Sequence, residues 1–217
     1  MTTLTELPRR LTVVWSKRGP RKFAIFVLGR FLRLQVDEVF GRDLRSPVEA
    51  APAFAALRLN IVDARNPPDG LPDSLQKQLF SKEEAPLRAA LYRDDALLFL
   101  SDASGRVAHA SWIFFNSSYK RLLGLSDDVP LIGNCETIEA WRGRRLYPAT
   151  LLSACAYLAD VRRCSRVAIS CSPANKPSVR GIERAGFVLE KRIYSLIVLN
   201  KLLLQKVRGG GWRLSLM

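Results

Sequence analysis

The sequence predicts an α/β domain, more closely an α+β arrangement, in which helices flank a mixed central β-sheet. Strand patterns outnumber helix patterns in the middle of the chain. From 134 to 187 the segments alternate as strand, turn, helix, strand, turn and helix. Hairpin patterns upstream and strand–helix alternation downstream are typical of antiparallel and parallel pairing respectively, so together they predict a mixed sheet.

The N-terminal part of the chain is both basic and apolar. In the run FAIFVLGRFLRLQV (23–36), five apolar side chains share one helical face: Phe23, Phe26, Val27, Phe31 and Leu34. We therefore predict a helix here, and two interpretations stay open. It is a core helix with a solvated basic side, or a helix lying on an anionic membrane surface. Residues 1–60 are accordingly predicted to be a basic amphipathic segment packed on, or extending, a domain that spans 61–217.

The elements between this segment and the alternating region follow from local patterns. In chain order they are a Pro-rich loop (64–73), a helix (76–91), a hairpin (96–102 with 107–115), a polar connection with a helical turn (116–128) and a strand (129–138). Gly133 predicts a bulge or a splay within that last strand.

The alternating region begins with the predicted strand NCETIEAW (134–141) and the turn RGRRLYP (142–148). Pro148 predicts the first residue of a helix that runs to about 160. Four further elements follow: a strand (166–172), a helix (177–185) closed by Gly186, one or two strands (187–200) and a last strand within the tail (206–217).

The charge of the chain is concentrated at its two ends. The net charge is +14, with 11 basic and 5 acidic residues over 1–60, 11 and 13 over 61–160, and 12 and 2 over 161–217. Such ends favour phosphate-bearing cofactors or anionic lipid headgroups. Nucleic acid ranks low as a partner, because the basic residues are not interleaved with stacking aromatics.

The cysteines and the single histidine argue against a metal centre. Cys135, Cys155, Cys164 and Cys171 form no CxxC pair, and His109 alone remains to complete a zinc site, so no metal is predicted. Free thiols fit a reducing compartment. No signal peptide or membrane-spanning run is visible. We therefore expect a cytoplasmic protein, with a peripheral position at the inner membrane face as an alternative. The sequence leaves the oligomeric state open, with a homodimer as one alternative.

The turn from Arg142 to Tyr147 has the properties of a phosphate cradle. A strand ends, the chain turns and a helix begins, so several backbone N–H groups point at one place. Arg142, Arg144 and Arg145 add charge-assisted donors. This combination predicts a site for a pyrophosphate.

Together with the stretch NKPSVRGIERAGF (175–187), this turn resembles two motifs of the GNAT superfamily of acyl-CoA-dependent N-acetyltransferases. The family motifs are R-G-x-G-x-G/A after a strand, and N-x-x-S-x-R-x-Y-x-x-x-G-F after the next strand. The residues that match in register are Arg142, Gly143, Asn175, Ser178, Arg180, Gly186 and Phe187. The match covers about 95–195, and the ending RLYP resembles GNAT-like proteins of bacterial surface-polysaccharide gene clusters.

The resemblance implies the fold, the cofactor and the binding residues. It implies that the strand at 134–138 splays from its parallel neighbour at 166–172, and that the pantetheine arm of acetyl-CoA inserts between them. Backbone groups of Thr137, Ile138 and Glu139 would pair with pantetheine. The pyrophosphate would lie on the residues of the turn, namely Arg142, Gly143, Arg144, Arg145, Leu146 and Tyr147. From the second motif, Asn175 would face pantetheine and Arg180 a phosphate, and Ser178 would be a further cofactor-binding residue.

Two departures from the family pattern bear on the chemistry. Arg145 and Tyr147 stand where the family has small residues, and an arginine there can bind phosphate directly. Ile182 stands at the position of the tyrosine that protonates the departing thiolate. Solvent, Tyr194 or Ser178 are the alternative proton donors.

The resemblance also implies the reaction, an acetyl transfer from acetyl-CoA to a primary amine by direct attack. A lysine-like amine has a reference pKa of about 10.4 and must lose a proton before it attacks. Glu136 lies at the family's position for this base, with a structural ion pair to an arginine as the alternative and Glu139 as the fallback. The acceptor would be a small molecule or an amino sugar. The alternative to an enzyme is an inactive GNAT-like protein that binds coenzyme A or a membrane.

Overall fold

The computed structural model describes residues 32–48, 54, 56–63, 94–198 and 201–214. The chain divides into a larger unit, Glu38–Lys191, and a smaller one formed by Met1–Asp37 with Arg192–Met217. The predicted loop at 64–73, the predicted helix at 76–91 and most of the basic segment at 9–36 lie outside the described residues. No helix in the described ranges is long and apolar enough to cross a membrane.

The larger unit contains a mixed sheet with the strand order β2–β3–β4–β5–β6–β1. The strands are β1 (Leu32–Asp43, of which 38–43 belong to this unit), β2 (Arg58–Val62), β3 (Ala96–Ser101), β4 (Val107–Phe114), β5 (Leu131–Thr137) and β6 (Arg166–Cys171). Only β5 and β6 pair in parallel within this order, and the other neighbours are antiparallel. The predicted mixed sheet is thus confirmed.

Three helices are described in this unit: α1 (Tyr119–Leu122), α2 (Leu146–Asp160) and α3 (Lys176–Arg184). Helix α2 connects the parallel strands β5 and β6, as a crossover helix must. One face of α2 buries Leu151, Ala154, Cys155 and Leu158 in a core shared with the sheet. Apolar burial of this extent is the main source of stability for such a unit.

The smaller unit contains an antiparallel arrangement of β7 (Val188–Val198, of which 192–198 belong to it), β8 (Lys201–Val207) and β9 (Trp212–Leu214). Tyr194 of β7 lies opposite Lys206 of β8 in this pairing. The last strand that the tail predicted is therefore present as β9.

Several local predictions are confirmed with small shifts. The hairpin forms as β3 and β4, whose turn contains Gly105 with φ +78°. Helix α3 ends where expected, because Gly186 takes the left-handed conformation with φ +77° that glycine adopts most easily. Helix α2 begins at Leu146, two residues before Pro148, and the predicted strand over 138–141 is instead a 3₁₀ turn, Glu139–Trp141.

The predicted helix over 23–36 is wrong for its last residues, which belong to strand β1. Residues 38–43 of that strand pair with β6 in register, from Glu38 opposite Cys171 to Asp43 opposite Arg166. Pairing along a neighbouring strand outweighs local helical periodicity here, because a strand in a sheet gains ladder hydrogen bonds and a buried face. Residues 38–43 are therefore part of the central sheet of the larger unit.

Candidate active site

Strands β5 and β6 separate soon after they meet. Their parallel pairing covers only Leu131 with Ala168 and Ile132 with Ile169. Beyond Ile132, β5 continues alongside β4 as far as Thr137, whereas β6 continues alongside β1 as far as Cys171. A gap therefore opens between two neighbouring strands of the same sheet, as the resemblance implied.

A β-bulge in β5 lies at the start of this gap. The register between β4 and β5 shifts between Ala110 and Trp112, which lie opposite Glu136 and Gly133. Asn134 takes a left-handed conformation with φ 47° inside the shift. A bulge bends its strand and increases the local twist. The bulge that Gly133 predicted is thus present, and its left-handed residue is the next one along the chain, Asn134.

The turn after β5 ends at the N-terminus of α2. Arg145 is the N-cap in a left-handed conformation with φ 58°, and its side chain makes no capping hydrogen bond. The N–H groups of Leu146 and Tyr147 begin the helix and have no acceptor within it, so they are available to an anion. Gly143, with φ +79°, has open space where a side chain would stand. These are features of an anion cradle.

The arginines of the turn are held in different ways. The Nε of Arg142 donates to the carbonyl oxygen of Thr137 at 3.1 Å, and the guanidinium of Arg144 stacks on the Trp141 ring at 4.5 Å. Arg142 is therefore held by a hydrogen bond to the main chain. Arg144 is the arginine of the three that does not line the cavity described next.

The cavity at this end of the sheet has a volume of about 620 Å³ and is formed within the larger unit. Its lining comes from β4, β5 and the turn that follows β5, from the N-terminal part of α2, and from α3 along its length. Of the predicted site residues, it contains Glu136, Thr137, Arg142, Gly143, Arg145, Leu146, Tyr147, Asn175, Ser178 and Arg180. Ile138, Glu139 and Arg144 do not line it, and Tyr194 belongs to the smaller unit.

Sequence reasoning did not assign a role to several further lining residues. They are Trp141, Pro148, Pro177, Gly181 and Arg184. Arg184 lies one helical turn beyond Arg180 on α3, and an i, i+4 pair of arginines on one face was a signal that the sequence offered. With Arg142 and Arg145, these two place four arginines against the single glutamate, Glu136, in the lining. A cavity with this balance fits an anionic ligand.

The N-terminus of α3 forms one wall of the cavity. Asn175 is the N-cap, and its side-chain oxygen accepts from the N–H of Ser178 at 3.3 Å. Asn175 is the kind of residue that stabilises a helix start, so it has a structural role in addition to its place in the cavity. Ile182 of the same helix is completely buried in the hydrophobic core and offers no polar group to the cavity.

Glu136 is an exposed carboxylate on β5. The ion pairs within the described ranges use other carboxylates, those of Asp43, Asp102 and Glu190. The alternative in which an arginine neutralises Glu136 is therefore not realised in this part of the chain. Its carboxylate lines the cavity and has room to accept a proton from a neighbouring molecule.

A chain of polar groups forms part of the cavity wall, in which His109, Cys135 and Thr137 all take part. His109 is 1% exposed, and its Nδ1 and Nε2 form hydrogen bonds with the hydroxyl groups of Thr137 at 2.7 Å and Ser111 at 2.8 Å. The nearby Cys135 thiol donates to the carbonyl oxygen of Gly133 at 3.5 Å. Burial lowers the pKa of His109 to about 4, because desolvation disfavours the imidazolium. Burial likewise raises the pKa of Cys135 to about 11, so this thiol is a poor nucleophile.

The depressed pKa of His109 predicts a loss of stability in mild acid. The folded protein binds fewer protons than the unfolded chain between the folded value of about 4 and an unfolded value of about 6.5. The contribution of His109 is therefore fully present above pH 6.5 and is lost as the pH falls towards 4, at a cost of about 3 kcal/mol. Urea unfolding at pH 7 and pH 4 measures this, and in His109→Gln the drop should be smaller by that amount. An equal drop in both proteins would contradict the prediction.

Solved structures with a similar fold include GNAT-family N-acetyltransferases. One from Sphaerobacter thermophilus superposes with a TM-score of 0.54 and 14% identity over 82% of this chain and 56% of its own. A tandem GNAT protein from the clavulanic acid biosynthesis pathway gives 0.53 and 17% over 82% and 57%. A third, from Kribbella flavida, gives 0.51 and 10% over 80% and 62%. No protein-family model and no curated protein matches the sequence.

These similarities confirm that the chain has the fold of the GNAT superfamily. The chain spans a little over half the length of the first two of these proteins, at identities that concern the fold alone. The looser resemblance to proteins of surface-polysaccharide clusters stays a prediction. The similarities concern the fold, and the reaction has to be argued from the cavity.

Proposed function

We propose that this protein is an N-acetyltransferase that uses acetyl-CoA to acetylate a primary amine. The observation that carries this proposal is the cavity itself, which combines the gap between β5 and β6, two helix N-termini, four arginines and one unpaired carboxylate. A dedicated anion site next to a strand edge and a base is the arrangement that a phosphate-bearing acyl donor requires.

The residues present fit coenzyme A. The N–H groups of Leu146 and Tyr147 and the guanidinium groups of Arg142 and Arg145 would hold the pyrophosphate. On the other side, Asn175 and Ser178 would contact the pantetheine arm, and Arg180 a phosphate. The free edge of β5 beyond Ile132 is where an extended arm would lie, since β6 no longer pairs with it there. Bound acetyl-CoA supplies an activated thioester, the chemical driving force for acyl transfer.

Glu136 supplies the proton acceptor in this proposal. An amine with a pKa near 10.4 is almost entirely an ammonium ion at neutral pH, so it cannot attack until a base removes a proton. The Glu136 carboxylate takes that proton, directly or through one water molecule. Glu139, which lies outside the cavity on the 3₁₀ turn, is less suited to this role.

The acceptor is proposed as a small molecule or an amino sugar with a primary amine. Thiol release from acetyl-CoA in the presence of a panel of amines, including glucosamine, polyamines and lysine derivatives, tests the activity. Release that depends on both the protein and one of the amines supports the enzyme. Binding of coenzyme A without release for any amine favours the inactive CoA-binding alternative. A cytoplasmic location, a membrane contact and a homodimer stay predictions.

A further inference from the structure

The side chain of Tyr147 joins the two helices that form the cavity wall. Tyr147 is the second residue of α2, and its ring lies against Gly181 of α3. A Cβ atom placed on Gly181 would lie 2.5 Å from Cδ1 of the ring, closer than any real contact. Glycine at 181 is therefore what makes room for the aromatic ring between the helices.

The hydroxyl group of Tyr147 lies where α3 faces the gap beside β5. It shares a hydrogen bond of 3.2 Å with Oγ of Ser178 on α3, and the Cys135 thiol on β5 lies close enough to influence the phenol. The His109 ring lies 5.9 Å away, measured between ring centroids. Either hydroxyl can be the donor in the bond between Tyr147 and Ser178. When Ser178 donates to the phenol oxygen, the Tyr147 O–H is available to the cavity that Tyr147 lines.

The other donors in this part of the cavity are less suited to a developing negative charge. The Thr137 hydroxyl is bound to His109, and both His109 nitrogens are in hydrogen bonds. The Asn175 side-chain oxygen accepts from a backbone N–H, and Ile182 is an apolar core residue. Tyr147 has its pKa raised by burial, so its phenol keeps the hydrogen at every pH at which the protein would work.

We propose that the Tyr147 hydroxyl donates a hydrogen bond to the sulfur atom of coenzyme A and stabilises the thiolate that leaves during acetyl transfer. The inference rests on the proposed function. In that transfer the N–C bond forms, the C–S bond breaks and its electron pair goes to sulfur. The ammonium group loses two protons on its way to the amide, one before the attack and one after it. Both pass through Glu136 to solvent, and the thiolate takes one back from solvent. Tyr147 shares its hydrogen with sulfur throughout.

The test compares coenzyme A with desulfo-coenzyme A, which has no sulfur, by calorimetric titration of the full chain at pH 7 and pH 9.5. A hydrogen bond to the thiolate lowers the pKa of the bound thiol below its free value, near 8.5 for a simple thiol. The quantity to compare is the ratio of the affinity for coenzyme A to the affinity for desulfo-coenzyme A. In the wild type this ratio should be about 10-fold higher at pH 9.5 than at pH 7. The reason is that a charge-assisted hydrogen bond is worth roughly 1.5 kcal/mol or more.

In Tyr147→Phe this sulfur-specific gain in affinity should disappear, while the affinity for desulfo-coenzyme A stays within 2-fold (~0.4 kcal/mol) of the wild type, because the main-chain N–H of residue 147 is kept.

The matched control is Tyr157→Phe in the same helix, whose hydroxyl donates to Asp63 outside the cavity. It should keep the gain. A gain that persists in Tyr147→Phe, or its absence from the wild type, overturns the inference. So does loss of desulfo-coenzyme A binding in Tyr147→Phe, because the hydroxyl would then serve the rest of the cofactor. No binding of either ligand by the wild type overturns the proposed function instead.

Discussion

Replacing Glu136 by glutamine should lower turnover about 100-fold and leave the affinity for coenzyme A unchanged. The amide keeps the shape of the side chain but cannot accept the proton that the ammonium group must lose, and general bases contribute roughly 10²- to 10⁴-fold to such reactions. Steady-state thiol release gives the turnover, and calorimetric titration gives the affinity.

The pH dependence separates a base from a structural residue. Raising the pH towards 10 converts the acceptor into free amine, which needs no base. The deficit of Glu136→Gln should therefore shrink as the pH rises. Glu139→Gln is the matched control, because this carboxylate is three residues away and outside the cavity. Equal turnover in Glu136→Gln and wild type, or a larger loss in Glu139→Gln, would refute the assignment.

Replacing Arg142 and Arg145 together by alanine should weaken acetyl-CoA binding roughly 10- to 100-fold. Each guanidinium lines the cavity next to the N-terminus of α2 and can form charge-assisted hydrogen bonds with phosphate, worth roughly 1.5–3 kcal/mol each before solvent exposure reduces them. Because tenfold in affinity corresponds to about 1.4 kcal/mol, even half of this range reaches the predicted effect.

A double variant with the same loss of charge is the control for this experiment. Arg106→Ala with Arg121→Ala removes two exposed arginines that do not line the cavity. If the net positive charge of the chain alone attracted the cofactor, both double variants would weaken binding equally. Local recognition predicts a loss only for Arg142 and Arg145.

Elements with strong local signals were predictable from the sequence. Helix α3 carries an N-cap asparagine, a proline in its first turn and a glycine after its end, and each of these acts within a few residues. The gap between β5 and β6 came from resemblance to a family, because strand separation depends on partners that are distant in sequence. Helix α2 began earlier than Pro148 indicated, since the left-handed residue Arg145 already closes the turn.

What the sequence could not predict depends on contacts between distant segments. The periodicity of 23–36 gave no sign that its last residues lead into a strand beside β6. The chain of His109, Thr137 and Ser111 requires the register between β4 and β5, which the bulge at Asn134 sets. The contact of Tyr147 with Ser178 requires the approach of two helices. The sequence did contain one signal for this contact, the pairing of a large residue with a small one. The ring of Tyr147 fills the space that a side chain at Gly181 would otherwise occupy.

Calorimetric titration of the purified chain with acetyl-CoA shows whether the cavity between β5 and α3 binds an acyl-coenzyme A. We expect one site per chain with a dissociation constant in the micromolar range, about −8 kcal/mol, and competition by coenzyme A. Absence of heat and of any thermal stabilisation at millimolar acetyl-CoA would contradict it, because a ligand that binds the folded state must stabilise that state.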